Sequence, residues 1–448
     1  MAGKLKGRSV IVVGAGLAGL TAAVELQKHG ATVTVIEAQD RIGGRVLTMR
    51  GAFADGQHAE AGADFIDEEH QAIKQVAAEY RLKLRPVLKQ GFSFVPYHAA
   101  PRSHAKPLSG DVVWTKLSDM LCPLVQAYQL AEERWDSAVA ETLASQSVAQ
   151  WLNDQRAETS LRAVVRGLRG FFLADPEELS LLALVEQLAS DVPGRQPMYR
   201  IEGGNDRLPQ ALAAKLGKAL YLKHVARALR HDKASVRLVV ETATGGSTQV
   251  TADYIILAVP ATTLREIPIR PLLPARQAQA IATLKYGRVT KTLLQFDRPF
   301  WRRRGRPRAI GTDAPTGAVW DANEEQAGAK GILTLMAGGQ ASEDSQKLVA
   351  QRGVSGLVHS LEWFGAASAP LLHSRMVIWE EDPWVRGGYA YFHAGHDPSL
   401  RRWLARPFGR ILFAGEHTSL KWQGYMNGAV ESGLRAAAEV CALALRQK

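Results

Sequence analysis

One stretch, SVIVVGAGLAGLTAAVELQKHGATVTVIEAQDRIGGR at residues 9–45, constrains this chain more than any other. Its β-branched opening, Val10-Ile11-Val12-Val13, reads as a strand buried on both faces, as in a parallel sheet. Gly14, Gly16 and Gly19 follow in the spacing G-x-G-x-x-G, and a helical pattern then runs to about His29, where Gly30 stops it. Residues 32–36 read as a second strand that ends at Glu37. Gly14 permits the tight turn, Gly16 lets the backbone approach a pyrophosphate, and Gly19 lets the helix pack closely on the sheet. The helix start at Leu17 and Ala18 offers N–H groups and partial positive charge to phosphates. Glu37, followed by Ala38, can accept hydrogen bonds from both ribose hydroxyls of an adenosine and would repel a 2′-phosphate. Strand, glycines, helix, strand and acid in one unit predict a dinucleotide site on an α/β fold.

Length and composition bound the rest. A chain of 448 residues has room for two or three domains, and 46% hydrophobic with 22% charged residues is ordinary for a globular protein. The formal charge of +11 raises the question of a nucleic-acid partner. The basic residues are dispersed, however, apart from Arg302, Arg303, Arg304, Arg306 and Arg308 after Phe300-Trp301, which read as a solvated turn. No specific nucleic-acid partner is expected. Cys122 and Cys441 form no C-x-x-C pair, so two buried structural thiols and no metal site are expected. Lys4, Lys6 and Arg8 imitate a secretion signal, yet cleavage there would remove the first strand and its glycine loop. No apolar stretch is long enough for a bilayer, so a soluble cytoplasmic protein is expected. The motifs G-x-S-x-G, H-E-x-x-H and Walker A are absent, which leaves hydrolase, zinc-protease and NTPase readings unsupported.

The run Glu37-Ala38-Gln39-Asp40-Arg41-Ile42-Gly43-Gly44-Arg45 resembles the E-x(3)-R-x-G-G-R signature of FAD-binding flavoproteins related to amine oxidases. That resemblance implies FAD, with the glycine pair and Arg45 carrying backbone and guanidinium to the phosphate and ribitol side. Further motifs follow in the family's order. Glu60-Ala61-Gly62-Ala63-Asp64-Phe65 resembles the small residues that lie against the flavin ring. Relatives that bind amino acids place an arginine just beyond this glycine; Asp64 and Phe65 stand there, which argues against an amino-acid substrate. Residues 199–209 resemble the G-G-x-x-x-L segment that opens a helix, and the strand expected at 224–229 would bring the Val225 backbone to the adenine. Residues 235–259 alternate as strands and end in the family's A-V-P.

The remaining motifs concern the flavin and the substrate. Lys291, in a strand expected at 286–296, followed by Phe300-Trp301, resembles the lysine that holds a water against flavin N5 in monoamine oxidases. A lysine in an apolar strand needs such a reason, because desolvating an ammonium is costly. Gly387-Gly388 is followed by Tyr389 where animal monoamine oxidases carry a cysteine, which implies non-covalent FAD. Ala390 takes a position often held by a substrate-facing tyrosine. Gly415-Glu416 resembles the F-A-G-E motif whose glutamate reaches the ribitol or pyrophosphate. Residues 422–433 resemble a helix start that faces the flavin pyrimidine, with Met426 and Ala429 at the cofactor. Tyr425 matches a substrate-cage tyrosine, with Trp384 or Trp422 as its aromatic partner.

The expected architecture is therefore α/β: an FAD-binding Rossmann-like domain of the glutathione-reductase type, an α+β substrate domain and a helical insertion. The expected boundaries are 1–80, 199–265 and 405–448 for the FAD-binding segments, 81–198 for the helical and substrate insertion, and 266–404 for the substrate domain. Helices are expected at 67–80, around Trp114, Leu117, Met120 and Leu121, and over 147–172, with Phe171 and Phe172 as candidate pocket walls. The resemblance implies an oxidase that converts an amine C–N bond to an imine, with O2 taking the electrons to give H2O2. Lys291, Tyr425 and Trp384 form the expected catalytic set, with a small-molecule amine as substrate and a homodimer as a compatible assembly. An L-amino-acid oxidase, a flavin desaturase and a non-catalytic flavoprotein module are the alternatives.

Overall fold

The strand predicted first is the middle of the central sheet. The computed structural model describes residues 3–89, 91–95, 97, 110–190, 197–303 and 307–446. Ser9–Val13 lies between Tyr254–Leu257 and Thr32–Ile36, with Ile411–Phe413 and Leu220–Tyr221 outside them. All four pairings are parallel, and Val10 faces both Val33 and Tyr254 in register. Three sequence-distant stretches thus build one five-stranded sheet. Its strands run toward a common edge, where Gly14, Glu37, Ala258 and Gly415 follow directly or within two residues. Ligands of open α/β sheets bind at such a carboxyl edge.

Side-chain alternation sorts this sheet into layers. Val10 and Val12 join a core with the helices Leu17–Lys28 and Met426–Leu445. Ile11 and Val13 instead join a core with Leu229, Leu238 and Val240 of a second, four-stranded sheet. The two helices cross closely: a Cβ at Gly433 would stand 2.4 Å from the Ala18 carbonyl oxygen. Glycine is required there by distance.

A separate six-stranded sheet runs in the order Leu371–Ile378, Val289–Phe296, Gly331–Gly338, Ala318–Asp321, Ala309–Gly311, Ser93–Phe94. Its pairings are antiparallel except the last. Val289–Phe296 is buried along its whole length, Lys291 included. Helices between 110 and 190 form their own core around Leu117, Leu121, Trp151 and Leu182.

Several local expectations change. The helix expected at 67–80 is Gln71–Glu79, and the strand expected from 286 begins at Val289. The helix expected over 147–172 is three: Val148–Asp154, Thr159–Gly167 and Arg169–Phe172. Ser147 and Gln150 form a capping box that starts the first of them. The stretch read as helix-rich also contributes the strand Ser93–Phe94. Cys122 is exposed, because it follows the Leu117–Leu121 stripe on the outward face of Gly110–Leu130; Cys441 is buried. Arg302 is no solvated turn residue, since Asp321 holds it at 2.6 Å; Arg304 and Arg306 lie outside the described residues, as does the Trp114 side chain. No helix among the described residues is long and apolar enough to cross a membrane.

Candidate active site

A cavity of about 730 Å³ opens from the carboxyl edge of the parallel sheet and runs to the six-stranded sheet. Backbone builds its first half. Gly14 has φ +103°, and a Cβ there would meet the Ala258 carbonyl oxygen at 2.7 Å. A Cβ at Gly16 would meet nothing within 4 Å, so the space beside this glycine is open. Gly16 is also the N-cap of Leu17–Lys28 and offers no side-chain cap, which leaves the helix start to whatever anion the cavity holds. Gly19 lies beneath the cavity instead of on its wall; its hydrogen stands where a Cβ would be 1.9 Å from the Gly14 carbonyl oxygen.

Glu37 is fixed by two backbone donors. Its Oε2 accepts from Ala15 N–H at 2.6 Å and its Oε1 from Gln39 N–H at 2.8 Å. Each oxygen retains a lone pair for a ribose hydroxyl. The His224 N–H donates to the Glu37 carbonyl, which delivers Val225 to the cavity wall beside Ala38.

An ion pair occupies the waist. Arg45 donates to Glu416 Oε1 at 2.7 Å and to the Gly388 carbonyl at 2.8 Å. Glu416 also accepts from the Gly424 N–H at 2.7 Å. Burial disfavours the charge on Arg45, but Glu416 prevails and raises its pKa above the ordinary guanidinium value. Beyond this pair begins Met426–Leu445, whose N-cap Tyr425 again provides no side-chain cap. Met426, Ala429 and Tyr425 line the wall here.

Side chains build the far half. Lys291 Nζ donates to the Gly62 carbonyl and to Asp64 Oδ2, both at 2.9 Å. Asp64 further accepts from Arg200 Nε at 2.6 Å and Trp320 Nε1 at 3.0 Å. Arg200 continues to Glu325 at 3.1 Å and to the Asp321 carbonyl. Burial opposes ionisation of Asp64, yet Arg200 and Lys291 hold its carboxyl below the ordinary carboxylate range. Burial, then the adjacent Asp64, pushes Glu60 up to about 8. Burial draws the Lys291 ammonium below the ordinary lysine value, against the pull of Asp64.

The structure gathers the sequence-predicted residues on one cavity, with Gly19 as support beneath it. Gly14, Gly16, Leu17, Ala18, Glu37, Ala38, Arg45, Val225, Gly415 and Glu416 line it, as do Gly62, Ala63, Asp64, Phe65 and Lys291. Trp384 lies on the wall too, but on a loop whose Asp382 reaches Gln39 at 3.3 Å and Arg41 at 3.8 Å. The ring brought against Tyr425 is Trp422, at 6.1 Å, with His70 between them at 4.7 and 4.9 Å. Phe171 and Phe172 line the far half with Phe92, Trp320 and Tyr389. Sequence reasoning missed Arg200 and Trp320. Arg200 carried the same signal as Lys291, a charge between apolar residues of a strand, Met198–Ile201.

The donor set fits FAD. Two helix starts without side-chain caps, open space at Gly16, a positioned acid at the ribose end and small residues at 62–63 suit a pyrophosphate, an adenosine and a flat ring. Glu37, Val225, Gly16, Leu17, Arg45, Glu416 and Met426 would hold it. Neither cysteine lines the cavity.

Comparison with known proteins agrees. The family model for flavin containing amine oxidoreductases matches residues 17–441. A Mycobacterium tuberculosis protein provisionally assigned as flavin-containing monoamine oxidase AofH is 30% identical over 450 residues, covering 97% of this chain and 96% of that one. An L-amino acid dehydrogenase of Synechocystis is 27% identical over 461 residues, covering 97% and 94%. The structure of cyclohexylamine oxidase from Brevibacterium oxydans superposes with a TM-score of 0.83 at 26% identity, covering 97% and 99%. With its cavity, its motifs and this match across nearly its whole length, the chain belongs to the family of flavin-containing amine oxidoreductases, which use FAD.

Proposed function

We propose that this protein oxidises an amine lacking a carboxylate, and that O2 takes the electrons from the reduced enzyme. The observation that carries the substrate reading is the state of the buried arginines. Arg200, just behind the far wall, is neutralised by Asp64 at 2.6 Å and Glu325 at 3.1 Å. Arg401 lines the cavity but is held by Glu186 at 2.6 Å and stacked 3.9 Å from the Trp135 ring centre. At the turn where amino-acid binders place an arginine, this chain has Asp64. The walls of the far half, Phe65, Phe92, Phe171, Tyr389 and Tyr425, suit an apolar amine side chain and a nitrogen lying over an aromatic face.

Bound FAD supplies the redox chemistry: a hydride equivalent leaves the amine carbon, and the resulting imine is hydrolysed by water. The chain's own part is orientation and electrostatics. Tyr425 and Tyr389 flank the substrate and exclude water, while the start of Met426–Leu445 directs its N–H groups at the place where negative charge grows. Lys291 keeps a cation at the far wall, where it serves reoxidation. Homodimer formation and the domain boundaries given above belong to the same reading.

The test is anaerobic reduction of the purified flavoprotein by alkyl and aromatic monoamines, diamines, polyamines and L-amino acids, followed by readmission of air. Bleaching by amines with recovery in air is expected. Bleaching by amino acids alone would overturn the substrate reading, and reduced enzyme that persists in air would overturn the O2 reading.

A further inference from the structure

The buried charges of the far half hold more than a lysine. We propose that Asp64 is a positioning residue that aims the Lys291 ammonium at the flavin edge, an inference that rests on the reading of Lys291 given above. Four elements converge on this carboxylate: the turn that carries it, Met198–Ile201 through Arg200, Ala318–Asp321 through Trp320, and Val289–Phe296 through Lys291. All four side chains are at least nine-tenths buried. Asp64 therefore has almost no freedom to move, and neither does whatever it binds.

Lys291 needs such an anchor. Its stem has four rotatable carbons and its head three donors without fixed directions. Gly62 O and Asp64 Oδ2 take two of the three hydrogens, which leaves the third for the cavity. Trp320 braces the same head, its ring centre 5.1 Å from Nζ. The arrangement sets a direction as well as a charge. Removing the carboxylate would leave the ammonium one strong acceptor, a backbone carbonyl, and freedom to turn.

The groups that face Lys291 fix its electrostatics. They are Asp64 and Glu60 from the 60–64 segment and Arg200 from Met198–Ile201. Burial and Asp64 push Glu60 above the ordinary carboxylate range, and Asp64 is the acid in direct contact with Lys291. An ion pair kept only for stability would be a poor use of this position, since buried pairs are often no better than apolar packing.

Holoenzyme variants Asp64→Asn, Lys291→Met and their combination separate positioning from mere structure. Each is reduced anaerobically with a monoamine, then mixed with O2 in a stopped-flow instrument. Lys291→Met and Asp64→Asn should both slow reoxidation, by about 100-fold for a displaced group. The double variant should be no slower than Lys291→Met alone. A second readout does not depend on turnover: the absorbance of the oxidised flavin followed against pH. The lysine transition should move to lower pH in Asp64→Asn, where the opposing charge is gone, and vanish in Lys291→Met.

Slow Lys291→Met with wild-type reoxidation in Asp64→Asn would overturn the role of Asp64 alone. Wild-type reoxidation in Lys291→Met would sink the reading of Lys291 beneath it. Effects that multiply in the double variant, or an unmoved transition, would make Asp64 structural. Should Asp64→Asn fail to fold, Trp320→Phe removes one donor from Asp64 and no charge. It should slow reoxidation in the presence of Lys291 and not in its absence; equal slowing in both backgrounds, or none in either, would overturn the proposal.

Discussion

The two halves of the cavity hold their ligands by different physics. The nucleotide half is made of backbone: glycines that leave room, helix starts that leave N–H groups free of side-chain caps, and an acid pinned by two main-chain donors. The far half is made of side chains whose charges cancel in pairs, Asp64 with Arg200 and Lys291, Glu325 with Arg200. A backbone site fails when volume is added. A charge site fails when charge is removed and the shape kept.

The waist, where the halves meet, gives the largest expected effect. Glu416→Gln leaves Arg45 without its counter-charge; breaking such a pair should cost about 2–3 kcal/mol, short of a fully buried pair because Arg45 keeps some exposure. Melting of the variant and FAD titration would measure it. An unchanged melting temperature would mean that the pair merely fills the waist. Gly14→Ala comes next. Its Cβ would stand 2.7 Å from the Ala258 carbonyl oxygen, so about 1–3 kcal/mol of stability and most FAD retention should be lost, read from flavin content on purification.

Glu37→Gln tests the backbone half by the opposite change, charge removed at constant shape. FAD binding should weaken only about tenfold, the loss of one charge-assisted hydrogen bond. A loss as large as that of Gly14→Ala would erase the distinction between the halves. The last test concerns the pH dependence contributed by Glu60. Its folded pKa of about 8 stands above the ordinary 4.5, so the folded protein holds an extra proton between those values. Its stabilisation is complete below about 4.5 and is lost as pH rises through about 8. Holoenzyme melting should decline across that window in the wild type, and less steeply in Glu60→Gln. Asp64, depressed, works in the other direction, and its contribution goes as pH falls below the ordinary carboxylate range.

The same division explains what could be read in advance. Gly14, Gly16, Gly19 and Glu37 were legible because a strand–turn–helix unit fixes their geometry within 30 residues; Gly14 and Gly19 answer to close backbone contacts, while Gly16 borders open space. Asp64 drew notice as a departure from a family pattern, but its partners did not. Arg200 lies 136 residues away and Trp320 256, and no local periodicity encodes a contact of that kind. Trp384 shows the limit of motif reading most plainly. Its spacing to the glycine pair placed it near the flavin, while only the fold could show Asp382 tying its loop to Gln39 and Arg41. The three helices of 147–172 were merged because a buried face continues across their joints.

The Arg45–Glu416 pair also bears on how the protein is made. Its partners are 371 residues apart, so for most of synthesis the first strand–helix unit exists with neither its counter-ion nor the helix that crosses Ala18. At ribosomal rates of about 5–20 residues per second that interval is tens of seconds. A nascent chain in that interval presents half a cradle, with an uncompensated guanidinium and an uncovered apolar helix face. Cofactor loading is therefore a late event, and arriving FAD would bridge the first and last segments as a template for their docking. Flavin-starved cells should accumulate chains whose two ends have not met.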